Sequence, residues 1–199
     1  MSLGHADNPA AEHWLREVVR PLGLPGLVAC THLVRVPYPH VAISLAVPAA
    51  ERGGAGRPGE PAPADGPVEP AGGPVGAPAG GHAGAALAGL PVAPDGLREA
   101  AELAAAEHTA RRSGRAVLFP GVERLVGTMT VAEVLAETAI DRVRVLGGEP
   151  AGPGTLLQTR DFVRPQWLDG VLTLVATPAG AGRIAPFEVP NPTPCCADH

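Results

Sequence analysis

The chain has 199 residues, of which 45% are hydrophobic but only 3% aromatic, and it contains 26 glycines and 24 prolines. Glycine and proline at about a quarter of a chain are typical of segments that do not fold, so we expect the apolar residues in other segments. The net charge of −5 argues against a partner such as nucleic acid or anionic lipid, which selects basic surfaces. No apolar run approaches the roughly 18 residues of a membrane-spanning helix.

The three cysteines do not show the even count and regular spacing of a disulfide-stapled secreted domain. Residues 1–8 also lack the basic and apolar regions of a secretory signal. Both observations favour a cytoplasmic protein.

Residues 1–48 form the first predicted ordered segment. Asn8 is a candidate N-cap with Pro9 at the first helical position, and apolar residues follow at helical spacing until Arg20 and Pro21 stop the helix. Two apolar, β-branched runs at 26–36 and 40–47 then predict a pair of strands. About 40 residues are near the lower limit for independent folding, so we expect this segment to dock on the C-terminal part.

Residues 49–93 are dominated by glycine, proline and alanine, with almost no large aliphatic side chain. Such a stretch does not bury enough apolar area to offset its ordering entropy. We predict a disordered linker here.

Residues 94–189 are predicted to form an α+β core. Asp95 is placed to cap a helix over 96–112, and Thr130 with Glu133 forms a capping box at the start of a second helix. Asp169-Gly170 between two apolar runs predicts a type I′ hairpin. The remaining strand candidates are 116–119, 141–146, 155–159 and 183–189. The expected architecture is an antiparallel β-meander of about five to seven strands with two or three helices and a long disordered Gly/Pro/Ala-rich insertion.

The extended tail, residues 190–199, carries the most distinctive group of side chains, Cys195, Cys196, Asp198 and His199. Thiolate and imidazole ligands suit zinc or Cu(I). Adjacent cysteines chelate one ion poorly, because successive side chains diverge in an extended chain. Cys30 and His32 share one face of a predicted strand, so a metal site, with zinc as the expected ion, formed by Cys30, His32, Cys195 or Cys196, and His199 is one hypothesis.

Two alternatives to the metal site remain open. Cys30 is also typical of a small buried apolar residue, with the tail as a frayed end. Cys195 and Cys196 can instead form a strained vicinal disulfide of the labile, regulatory kind. Among the other histidines, His13, His82 and His108 are interpreted as solvated, and the aromatic residues as structural.

No catalytic motif is present: there is no G-x-S-x-G, no H-E-x-x-H and no phosphate-binding loop with its lysine. The sequence therefore favours a small non-catalytic accessory or protein-interaction module, whose partner is another protein and neither nucleic acid nor a membrane. The alternative is a metal-binding or thiol-redox protein that uses the C-terminal Cys-Cys-x-Asp-His cluster, with zinc as its cofactor. An enzyme whose active site follows no known motif is a third, more distant hypothesis.

Overall fold

The computed structural model describes residues 1–48 and 89–190. The predicted disordered insertion falls largely on residues 49–88, and the predicted tail on 191–199, and both ranges lie outside the described residues. Leu90 is described and buried, in contact with the core around α1 and β1 defined below. The packed part of the chain therefore resumes before residue 94, where we had placed the end of the linker.

Three α-helices and nine strands make up the described residues. The helices are α1 (Asn8–Trp14), α2 (Arg98–Thr109) and α3 (Val131–Glu137), and α1 continues as a π-helical turn (Leu15–Val19) and a 3₁₀ turn (Arg20–Leu22). The strands are β1 (Val28–Val34), β2 (His40–Ala46), β3 (Arg115–Leu118), β4 (Thr128–Thr130), β5 (Arg142–Val145), β6 (Leu156–Gln158), β7 (Gln166–Leu168), β8 (Val171–Pro178) and β9 (Ile184–Pro186). Within 1–48 and 89–190, no helix has the length and apolar character needed to cross a bilayer.

All nine strands belong to one sheet, with the order β2-β1-β3-β7-β8-β9-β6-β4 and with β5 paired to β8. Most pairs are antiparallel, but β5 pairs with β8 and β6 pairs with β9 in parallel. The prediction of a mixed α and β protein with two or three helices is therefore confirmed, and the sheet is mostly antiparallel as expected. The prediction of a simple meander with five to seven strands is wrong. Parallel partners are joined by long crossovers, and the strands that lie between them in the chain hide this pairing from a reading of local patterns.

The β1–β2 hairpin is covered on both faces, which accounts for its nearly continuous apolar sequence. On one face, Val41 and Ile43 pack against Leu15 and other residues of the N-terminal helical segment. On the other face, Ala42 packs against Ala100 and Ala104 of α2. Since β1 also pairs with β3, residues 1–48 and the C-terminal part contribute strands to the same sheet.

Several local signals act as predicted, and two differ by a few residues. Thr130 and Glu133 form the capping box of α3, and Asp169 and Gly170 adopt the positive φ angles of +53° and +83° that a type I′ turn requires. Helix α1 is capped by the carboxylate of Asp7, which accepts a hydrogen bond from an amide of the first turn, and not by the adjacent asparagine. Helix α2 is shorter than predicted, because a 3₁₀ turn over Asp95–Leu97 precedes it.

Candidate functional site

Cys30 and His32, the two β1 residues of the predicted metal site, lie on the face of the hairpin that packs against α2. Cys30 is opposite Ser44 of β2, and His32 is opposite Ala42. Helix α2 brings His108 to the same place. Small residues pack along this helix–sheet contact. Four polar or sulfur-containing side chains are buried together beside them, those of Cys30, His32, Ser44 and His108.

His32, Ser44 and His108 form a hydrogen-bonded group that we call the imidazole–serine cluster. The Ser44 Oγ atom lies 2.7 Å from His32 Nε2 and 2.7 Å from His108 Nδ1. A hydroxyl has one proton and two acceptor lone pairs, so Ser44 can donate to one imidazole while it accepts an N–H from the other. All three residues are buried. The three side chains therefore satisfy one another's polar atoms at the serine when at least one imidazole is neutral.

Burial lowers the pKa of both imidazoles, because the charged form loses its hydration. For His32, burial and then the neighbouring His108 lower the pKa to about 4, against an opposing effect of Glu107. For His108, burial and then Arg111 lower the pKa from its ordinary value. Both imidazoles are thus neutral near pH 7, a state that is compatible with the hydrogen bonds of the cluster.

Cys30 lies beside the cluster, with its Sγ atom 3.9 Å from His108 Nε2. Burial raises the pKa of this thiol to about 12. The Trp167 indole opposes the rise, although its Nε1 atom makes no hydrogen bond of normal length within the described ranges. Cys30 is therefore a neutral thiol near pH 7, in contrast to the low-pKa cysteines of reactive sites.

A pocket of about 330 Å³ opens beside the cluster, where β1 extends past the start of β3. Strand β3 pairs with β1 only as far as Thr31, so residues 32–34 of β1 have no strand partner on that side among the residues described. The wall of this space, which we call the β1 pocket, includes residues 31–33 together with Asn8, Arg112, Ser113, Arg115, Gln166 and Trp167. None of its lining residues is acidic.

A buried ion-pair network joins the N-terminal helix to the sheet beneath it. Glu12 of α1 accepts hydrogen bonds from Arg164 and forms an ion pair with Arg115 at 2.6 Å and another with Arg16 at 2.5 Å. Arg115 also binds Glu188, near the last described residue. Burial alone would raise the pKa of Glu12, but the hydrogen bonds and charges of Arg164 and Arg115 lower it to about 2. This Glu12 network is therefore ionised throughout the neutral pH range.

Of the predicted metal ligands, only Cys30 and His32 lie among the described residues. Cys195, Cys196 and His199 lie outside the described residues, as does Asp198. Over residues 1–48 and 89–190, no group of three or more His, Cys, Asp or Glu side chains is arranged to hold a metal ion. His32 directs Nε2 to Ser44, and the imidazole that contacts the Cys30 sulfur is that of His108.

His108, Ser44 and Trp167 are the site residues that sequence reasoning missed, and the interpretation of His108 as solvated is wrong, because it is 5% exposed. A signal for it was present. The apolar face of α2 runs through Ala100 and Ala104, and the next position at a spacing of four is His108. The alanines leave room for the imidazole ring at the end of this face.

No protein-family model matches the chain, and no curated protein or solved structure matches it either. A function is therefore argued from the cluster, the β1 pocket and the chemistry of their side chains.

Proposed function

We propose that this chain is a non-catalytic protein-interaction module that binds an extended segment of a partner protein in the β1 pocket. The observation that carries the proposal is the unpaired edge of β1 over residues 32–34. An exposed strand edge offers backbone donors and acceptors to an incoming strand, and the side chains beside it select the sequence of that strand.

The lining of the pocket favours a segment that carries a carboxylate. Arg112, Ser113, Asn8 and Gln166 offer side-chain donors, and no acidic residue lines the pocket to compete for them. Arg112 is exposed and uses one nitrogen to bind Glu107, so its other N–H groups are available. Leu33, which is 80% exposed at the rim, adds an apolar contact for a neighbouring side chain.

The imidazole–serine cluster has a supporting role in this proposal. Ser44 is 2% exposed, and it does not line the β1 pocket although His32 does. A serine nucleophile must reach its substrate. The cluster instead holds β1, β2 and α2 together directly behind the pocket, which keeps the binding edge rigid and limits the entropy lost on binding.

The test is a selection of short random peptides on the full chain, followed by affinity measurements with the enriched peptides. We expect enrichment of extended peptides that contain an aspartate or glutamate. Leu33→Glu should weaken their binding by about tenfold or more, because it places a like charge at the rim. Arg112→Ala should weaken it as well, and more at low salt than at high salt.

Matched controls are available on the surface away from the pocket. Val126 is 61% exposed, so Val126→Glu adds the same charge elsewhere, and Arg144→Ala removes an exposed arginine of β5. Both variants should bind the enriched peptides as the wild type does. Failure to enrich any peptide, or equal losses for Leu33→Glu and Val126→Glu, would show that the β1 pocket is not a peptide-binding site.

A second candidate function is a zinc centre that combines Cys30 and His108 with Cys195, Cys196 or His199. One specific observation favours it. The Cys30 Sγ and His108 Nε2 atoms are 3.9 Å apart, close to the roughly 3.6 Å that separates sulfur and nitrogen ligands of a tetrahedral zinc ion. Arg115 of β3 binds Glu188 and pairs with Thr31 of β1, so the described chain ends near the strand that carries Cys30.

Zinc content after equilibration with ZnCl₂ tests this candidate. The full chain should retain one zinc ion, and both a truncation after Pro190 and Cys30→Ser should lose it. Cobalt substitution should give the absorption of tetrahedral thiolate coordination in the full chain alone. Equal metal content in the full chain and the truncation would remove the tail from consideration, and full retention by Cys30→Ser would show that β1 supplies no ligand.

A further inference from the structure

A second cavity, larger than the β1 pocket, lies at the opposite end of β3. Its volume is about 410 Å³, and it is enclosed by the N-terminal helical segment, the loop before β1, the end of β3 and the loop before β7. This volume falls within the range of roughly 300–1,000 Å³ that is typical of small-molecule sites. We call it the arginine cavity, because Arg16, Arg20 and Arg164 all line it.

The walls of the arginine cavity divide into an apolar and a basic part. Leu24, Leu27, Val117 and Phe119 supply apolar surface. The basic part comes chiefly from the π-helical turn over Leu15–Val19 and the residue that follows it. Such turns are rare and frequently occur at functional sites. Arg16 lies within this turn and Arg20 directly follows it, and both line the cavity.

The arginines in and behind the cavity wall outnumber the carboxylates that bind them. In the Glu12 network, Arg115 is bound by Glu188, and Arg164 binds Glu12 through two nitrogens. Arg16 shares the same Glu12 carboxylate, so the network has one more guanidinium than carboxylate. Arg20 adds a further positive charge and has no ion pair among the residues that the structure describes.

Two acidic residues also line the cavity, but they lie at its exposed rim. Glu123 is exposed on a short 3₁₀ turn, and Asp161 is exposed and accepts a hydrogen bond from the Gly127 amide. Arg164 is buried but already bound to Glu12, and Arg20 is exposed like the two acidic residues. The lining therefore carries three guanidinium groups and two carboxylates, a net charge of +1.

We propose that the arginine cavity binds a small monocarboxylate with a short apolar body, such as an aliphatic or aryl carboxylate. The carboxylate would take the unused N–H groups of Arg16 and Arg20, since a planar guanidinium matches the geometry of a carboxylate. The apolar body would cover Leu24, Leu27 and Phe119. This site is distinct from the β1 pocket and does not depend on the function proposed for it.

Titration of the ¹⁵N-labelled full chain with hexanoate and with phenylacetate tests the proposal, with hexanamide and phenylacetamide as neutral counterparts of the same shape. We expect shifts confined to amides of residues 16–27, 117–123 and 161–164, saturation with the carboxylates, and binding of the amides that is weaker by about tenfold or more. Binding of the carboxylates should weaken as salt is added.

Arg20→Ala should reduce carboxylate affinity by about fivefold or more, and Arg20→Lys should restore part of it. Arg144→Ala removes an exposed arginine from β5, far along the chain from this cavity, and should leave the affinity unchanged. Because Arg20 is exposed, the amide spectrum of Arg20→Ala should remain that of the folded chain. Equal binding of acid and amide, no shifts at millimolar carboxylate, or equal effects of Arg20→Ala and Arg144→Ala would each overturn the proposal.

Discussion

The neutral imidazoles beneath α2 predict that the protein loses stability in mild acid. His32 has its pKa lowered to about 4 by burial and by His108, and an unfolded chain returns the group to its ordinary value near 6.5. Between pH 4 and pH 6.5, His32 binds a proton in the unfolded state but remains neutral in the folded state. Stability is therefore full above about pH 6.5 and falls as the pH drops toward 4.

The magnitude follows from the size of the shift. A shift from 6.5 to about 4 corresponds to about 3 kcal/mol in full, at roughly 1.4 kcal/mol for each pH unit. At pH 5 the loss from His32 alone should reach about 2 kcal/mol relative to pH 7.5. His108 has its pKa shifted in the same direction and adds to the effect. Glu12, whose pKa is about 2, loses its stabilising contribution only below the ordinary pKa of a glutamate. It therefore has little effect on stability between pH 7.5 and 5.

Urea unfolding at pH 7.5, 6.5, 5.5 and 5.0 measures the effect as a change in the free energy of unfolding. His32→Gln is the informative variant, because the amide nitrogen of glutamine takes the place of Nε2 beside Ser44 and does not titrate. We expect this variant to have a clearly shallower dependence on pH than the wild type. His13→Gln, at an exposed position on α1, should retain the wild-type dependence. A wild type whose stability is constant from pH 7.5 to 5, or a His32→Gln variant with an unchanged slope, would refute the reasoning.

Three further changes in stability are expected, each measured by urea unfolding at pH 7.5. Glu12→Gln should cost about 3–5 kcal/mol, because it leaves buried arginines without their carboxylate, whereas exposed Glu17→Gln should cost little; similar losses for both would contradict the network. Gly121→Ala should cost more than Gly127→Ala. Both have positive φ, but only at Gly121 would the added Cβ lie 2.2 Å from a backbone oxygen of α3, so equal costs would argue against that close approach. Thr130→Ala should cost about 1 kcal/mol through loss of the capping box, and an unchanged stability would show that the cap is dispensable.

The features predicted correctly are those that a few neighbouring residues determine. The capping box needs only Thr130 and Glu133, whose side chains satisfy amides within the same turn. The hairpin between β7 and β8 needs only Asp169 and Gly170, which tolerate the left-handed backbone of a type I′ turn. In both cases the residues that determine the conformation lie within four positions of one another. The tertiary structure is compatible with the conformation that they favour.

The pairing of strands depends on contacts that no local pattern records. Arg142 and Arg144 alternate with two valines, which correctly indicates strand β5. The same alternation fits an antiparallel or a parallel partner, and β5 pairs in parallel with β8, about 30 residues further along the chain. The meander was therefore the simplest topology compatible with the sequence, and the long-range pairing made it wrong.

Of the imidazole–serine cluster and its neighbour Cys30, the sequence predicted only the part that the two-residue period of one strand determines. Cys30 and His32 were placed on one face from their spacing of two residues, and the structure has them there. Their partner His108 is distant in sequence and comes from a helix whose alanines resemble a solvated surface. This face of α2 is buried because the β1–β2 hairpin covers it. The sequence of α2 alone does not indicate that the hairpin packs there.

The Glu12 network shows why the N-terminal segment cannot be separated from the two cavities. Arg115 lines the β1 pocket, Arg164 lines the arginine cavity, and both bind the same buried carboxylate. Arg115 lies at the start of β3, Arg164 lies on the segment before β7, and Glu12 lies on α1. A shift of α1 that weakens one of these ion pairs leaves a buried charge without its partner, which is costly in a low-dielectric interior. The ion pairs of Glu12 thus fix the position of α1 against the walls of both cavities. The shape of each cavity therefore depends on the docking of residues 1–48.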